Sequence, residues 1–136
     1  MVKAIELTVH LRCPANIYVN KMPPISGRVP VLVPIEIILE NFSISAIDLD
    51  AFKDGRLMWQ LHNQDGALAH AKVIAATLEQ QIWSVLPGQS ICGRGTVEFD
   101  GRFLANGASY ILKCEFLGKH SEAKFTTHDV FYFEVC

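Results

Sequence analysis

Apolar and polar residues alternate with a period of two along most of this chain, the spacing that puts successive side chains on opposite faces of a strand. In "IELTVHL", Ile5, Leu7, Val9 and Leu11 share one face while Glu6, Thr8 and His10 take the other. In "VLVPIEIILEN", Val31, Val33, Ile35, Ile37 and Leu39 line one face. Leu32, Pro34, Glu36, Ile38 and Glu40 line the opposite one. Pro34 has no N–H for a ladder, which places it at an edge, a strand start or a bulge. "RLMWQLH" repeats the alternation with Leu57, Trp59 and Leu61, and "ISAIDL" is a shorter strand before it. Near the C-terminus "GTVEF", "ASYILKCEFL" and "DVFYFEV" are strands as well. Tyr110, Leu112, Cys114 and Phe116 share a face in the second, Phe131, Phe133 and Val135 in the third. Asp-Gly or Asn-Gly pairs at 54–55, 65–66, 100–101 and 106–107 supply the turns.

Two stretches depart from the pattern. Residues 67–85 read as the strands "AKVIAA" and "QQIWSVL", but their Ala, Leu, Glu and Gln content makes a short helix within 67–80 the alternative. Ile17–Pro30, "IYVNKMPPISGRVP", has no repeating apolar pattern and carries prolines at 23, 24 and 30. Those prolines restrict φ and pre-order the segment, lowering the entropy lost on docking. Tyr18, Lys21, Met22, Pro23, Pro24 and Ile25 are therefore the candidate partner-contact residues, set against a plain connector that packs Tyr18 and Ile25 on the core. The expected architecture is all-β: one domain over 1–136, an antiparallel sandwich or small barrel of seven to nine strands.

The order "VPIEIILEN", then "VLPGQS", then "LANGASYILKC" resembles bacterial immunoglobulin-like sandwiches, the intracellular proteinase-inhibitor type among them. The resemblance covers about Val31–Val135. It implies an immunoglobulin-like β-sandwich and brings no active residues with it. Leu112 stands where the antibody Asp-x-Gly-x-Tyr-x-Cys pattern has its cysteine. Tyr110 is placed to form a tyrosine corner, its hydroxyl bonded to upstream backbone.

Composition narrows the partners. The chain has 136 residues, 50% hydrophobic and 19% charged, with a net charge of −2. Its Lys and Arg are scattered, which disfavours nucleic acid. No apolar run approaches the length that crosses a bilayer as a helix. "MVKAIELTVHLRC" alternates too strictly for a signal peptide, so the reading is a soluble cytoplasmic protein. The four cysteines, Cys13, Cys92, Cys114 and Cys136, are then expected as free thiols, with Cys114 buried and inert. Apolar residues on the polar side of the alternation, Leu32, Ile38, Val130 and Tyr132, suggest self-association as a homodimer.

Candidate chemistry is thin. His62 and His70 are eight residues apart, as are His120 and His128, without Cys-x-x-Cys or His-Glu-x-x-His beside them. Hydrogen-bonded histidines near turns are the better account, so neither a metal nor a cofactor is expected. "DLDAFKDG" fails as a calcium loop, since Lys53 stands where glycine is needed. Cys92 in "SICGRGTVEF" has Arg94 near, yet no histidine close in sequence. Gly93 and Gly95 read as a bulge or a tight backbone approach. The function read from the sequence is a non-enzymatic protein-interaction module, inhibitor-like in the resemblance. The alternatives are a structural subunit of a homo-oligomeric assembly, or a small enzyme using Cys92 or a histidine cluster.

Overall fold

The computed structural model describes residues 7–19, 30–51, 53–69, 71–80, 82–119 and 124–135. Among these described residues ten strands follow one another: β1 (Leu7–Arg12), β2 (Asn16–Val19), β3 (Pro30–Asn41), β4 (Ile47–Asp50), β5 (Gly55–Asn63), β6 (Val73–Leu78), β7 (Ile82–Val85), β8 (Ser90–Asp100), β9 (Ala108–Gly118) and β10 (Phe125–Val135). A single 3-10 turn, Gly101–Phe103, separates β8 from β9. The short helix allowed within 67–80 is not formed among the described residues; β6 runs there instead. Its neighbours are all strands, and pairing with β8 outweighs a helix propensity that is weak in any case.

Two four-stranded sheets pack face to face, in the orders β1-β3-β8-β6 and β2-β10-β9-β5. A small ribbon of β4 and β7 lies beside them. This is the immunoglobulin-like arrangement, with eight strands in the main sheets. Pairing is antiparallel throughout except between β2 and β10, which run parallel. That exception arises because the N-terminal strand changes sheets. Pro14 interrupts it and cannot donate, β1 stays on β3, and β2 crosses to β10. Pro34 sits inside β3 but beyond the last β1 partner, Glu36. There β3 is locally an edge, which is where a residue without an N–H is tolerated.

The core lies between the sheets. Val31, Val33, Ile35, Ile37 and Leu39 of β3 are buried and face Leu112, Cys114, Phe131 and Phe133 of β9 and β10. Phe99, Phe131 and Tyr110 form a chain of tilted rings at 6.2 and 5.9 Å. Phe116 stacks on Phe125 at 5.4 Å. Trp83 of β7 is wholly buried, whereas Trp59 at the edge of the second sheet is only half-buried. Gly93 exists for Trp83: a Cβ there would meet the indole Nε1 at 2.9 Å. Gly95 similarly yields to the Thr77 carbonyl, and the β3–β8 register runs through both glycines without a bulge. The tyrosine corner is present, with the Ala105 N–H donating to the Tyr110 hydroxyl at 2.6 Å.

Candidate functional site

The partner-contact residues divide. Lys21, Met22, Pro23, Pro24 and Ile25 lie outside the described residues. Tyr18 is not on a loop, as the sequence suggested, but in β2. Nor does it pack on the core: alternation turns Ile17 inward and leaves Tyr18 59% exposed.

The four self-association residues also separate. Leu32 and Ile38 project from the outer face of the first sheet, Val130 and Tyr132 from that of the second. No single face presents all four. What the fold does bring together is Tyr18 with the second pair. In the parallel β2–β10 register Asn16 lies opposite Tyr132 and Tyr18 opposite Glu134, so the two tyrosines are diagonal neighbours on one face. Val130 continues the face along β10, 45% exposed, and lies opposite half-buried Ile111 of β9. Ile111 in turn lies opposite His62 of β5. The result is a strip of aromatic and aliphatic side chains across β2, β10 and β9, ending at the polar His62 of β5. His128 of β10, Lys113 of β9 and Gln60 of β5 form the polar row beside it.

Hydrogen bonds from the segment between β1 and β2 fix this strip. The Leu11 N–H donates to Thr127 Oγ1 at 2.9 Å, and the Cys13 N–H to Asp129 Oδ2 at 2.9 Å. Tyr132 N–H then donates to the Ala15 carbonyl at 2.8 Å, just before β2 joins the sheet. Burial, and then Asp129, push the Cys13 thiol up to about 12, so it stays protonated at neutral pH. Burial does the same to Cys114, also to about 12, as the inert-core expectation required. Cys13, Cys92 and Cys114 are free thiols, and Cys136 lies outside the described residues.

The opposite face offers an open groove of about 580 Å³ bordered by Arg12, Pro34, Glu36, Glu79 and Arg94. Across the strands Arg12 lies opposite Glu36, and Glu36 opposite Arg94. The backbone of Glu79 bonds to the Arg94 carbonyl at 2.8 Å, completing a row of alternating charge. Arg94 and Glu36 approach only to 3.9 Å and are well exposed, so the pair contributes little. Cys92 is exposed on this face. His10 and Cys92 flank Ile38 in one cross-strand row, two strand spacings apart, about 10 Å. That is well beyond hydrogen-bond reach. His62 is tied locally, Nδ1 to the Gly66 carbonyl at 3.1 Å and Nε2 to Gln60 Oε1 at 3.2 Å. His70 and His120 lie outside the described residues. Among the described residues no three His, Cys, Asp or Glu side chains gather as metal ligands. No helix among them is long and apolar enough to cross a membrane.

No family model and no curated protein sequence matches the chain. Among solved structures, a FixG-related protein from Vibrio parahaemolyticus is similar with a TM-score of 0.53 at 11% identity, over 93% of this chain and 95% of that one. The major subunit AggA of aggregative adherence fimbriae from Escherichia coli gives 0.39 at 14% identity, over 99% and 98%. The E. coli chaperone DraB gives 0.41 at 10% identity, over 95% of this chain and 55% of that one, so this chain spans about half its length. The first likeness shows the β-sandwich fold; the other two scores are too low to carry an argument. The fold is shared, and the proteinase-inhibitor type is not indicated by any of the three.

Proposed function

We propose that this protein is a non-enzymatic interaction module that contacts a protein partner through the outer face of its second sheet. The observation that carries the reading is the meeting of Tyr18, Tyr132 and Val130 on one exposed face, held there by the parallel β2–β10 pairing. Tyrosines supply large, rigid contact area with a polar tip, which suits a surface that is wet when free and covered when bound. Lys21, Met22, Pro23, Pro24 and Ile25 follow Tyr18 closely in the sequence and stay part of the proposed contact set. A catalytic use of Cys92 finds less support, given its separation from His10. The free thiols suit a reducing compartment, in keeping with the cytoplasmic reading.

The test compares faces. The triple variant Tyr18→Ser, Val130→Ser, Tyr132→Ser is set against Leu32→Ser on the other sheet, each first shown folded by near-UV circular dichroism. Affinity capture from the native cell should recover the same partner with wild type and Leu32→Ser and lose it with the triple variant. Loss with Leu32→Ser alone would move the site to the other face.

A further inference from the structure

Two loops meet where β3 ends, and their outermost side chains are apolar. β3 ends at Asn41 and residues 42–46 lead into β4; β7 ends at Val85 and residues 86–89 lead into β8. The β4–β7 pairing closes with Ile47 opposite Val85, so the two loops emerge side by side. Phe42, Ile44 and Leu86 are exposed on them, Ile44 with 91% of its surface in solvent. Neither 41–47 nor 82–93 contains an Asp, Glu, Lys, Arg or His. Exposed apolar side chains gathered in this way mark a contact with a protein or a membrane.

The backbone separates the two. Lipid offers no hydrogen bonds, so a segment that enters it must satisfy its polar groups within the protein. In 86–89 every N–H is bonded or absent. Leu86 donates to Gln89 Oε1 at 2.9 Å, Pro87 has no N–H, Gly88 donates to the Asn41 carbonyl at 2.8 Å, and Gln89 donates to the Leu86 carbonyl at 2.9 Å. Pro87 and Gly88 fill the two central positions of this tight turn. Asn41 serves the first loop from within. Its Oδ1 accepts the Ser43 N–H, and its Nδ2 donates to the Ser45 carbonyl and to that of Val85, tying one loop to the other. A protein interface carries about one hydrogen bond per 100–200 Å². Here the backbone donors turn inward, and Phe, Ile and Leu side chains are left outermost.

From this we infer that the 42–46 and 86–89 loops form a tip that enters the interfacial layer of a phospholipid bilayer, holding the protein on the membrane surface without crossing it. Affinity of such a contact follows the apolar area it buries and the charge around it. The charges that border the first loop along the chain, Glu40 on β3 and Asp48 on β4, are both acidic. An anionic surface repels them, so the matching lipid has zwitterionic headgroups. The Tyr18 strip lies beside the last residues of β10, and this contact does not depend on it.

Vesicle flotation tests the tip. One buried acyl chain binds at about 10⁴ M⁻¹ and three side chains bury less, so roughly millimolar phosphatidylcholine vesicles are the probe. Wild type should float with them. Ile44→Ser combined with Leu86→Ser should lower the partition coefficient by roughly tenfold or more, since each change removes an apolar side chain from the bilayer. Leu32→Ser, on the outer face at the other end of β3, should leave it unchanged. Phosphatidylserine mixed into the vesicles should not strengthen binding. Should the double variant unfold, Ile44→Ser alone keeps the test, because a side chain 91% exposed has little packing to lose. A wild type that never floats overturns the inference, as does binding that ignores the tip substitutions or appears only with phosphatidylserine. A lipid-free rise in mass with concentration that the tip substitutions abolish also overturns it, because the occupant is then a second copy of the chain.

Discussion

Asn41 shows how much one polar side chain can do at the end of an apolar strand. It is 1% exposed, and its Nδ2 donates to the Ser45 and Val85 carbonyls at 2.9 and 2.8 Å. Its Oδ1 accepts the Ser43 N–H at 2.8 Å. The Asn41-Phe42-Ser43 triplet in the sequence is thus a structural knot, with the amide that glycosylation would need buried and engaged. Asn41→Ala leaves buried carbonyls unpaired and should cost about 3 kcal/mol. Urea unfolding measures it, with exposed Asn16→Ala as a control expected near zero. Cys114 offers a second residue-scale check through pH. Its thiol is raised to about 12 in the fold against an ordinary value of 9.0. Its contribution is therefore whole below pH 9 and is lost as pH rises towards 12, because the unfolded chain ionises first. Stability should fall across that window by up to about 1.4 kcal/mol per pH unit for this thiol. Cys114→Ala should flatten the slope, whatever it does to stability at neutral pH. An unchanged slope would remove the burial account.

At the scale of elements, alternation made the long strands legible. The core face of β3, Val31 to Leu39, is the one the period-two pattern marks, and Tyr110 makes the corner its position implied. Two things were not legible. The first is the break at Pro14: a proline after "HLRC" signals an interruption, but not that the chain crosses to the other sheet to pair in parallel with β10. That outcome depends on Thr127 and Asp129, more than a hundred residues away. The second is Trp83. Its four-residue strand is too short for a periodic signal, and its burial depends on the absence of a side chain at Gly93. The Thr127 and Asp129 contacts predict a further result. Asp129→Ala removes the acceptor for the Cys13 N–H and should loosen the β1–β2 junction while leaving the β9–β10 pairing intact. Amide exchange should then quicken at residues 11–19 by tenfold or more, the effect of losing one charge-assisted hydrogen bond of roughly 1.5–3 kcal/mol. Equal quickening throughout β9 would mean the whole sandwich had been weakened instead.

For the whole molecule, the topology decides which exposed residues act together. Tyr18 lies 112 positions from Val130 and 114 from Tyr132, and only the sheet order unites them. Leu32 and Ile38, similar in chemistry, fall on the far face and serve as an internal control. The central claim is that the Tyr18 strip is the surface a protein partner covers. The most direct measurement replaces Tyr132 with a photo-crosslinking phenylalanine analogue and, in a second protein, Leu32 with the same group, then irradiates both in the native cell. The account predicts a discrete, heavier adduct from position 132 and none from position 32. Adducts from position 32 alone, or the same adducts from both, would contradict it.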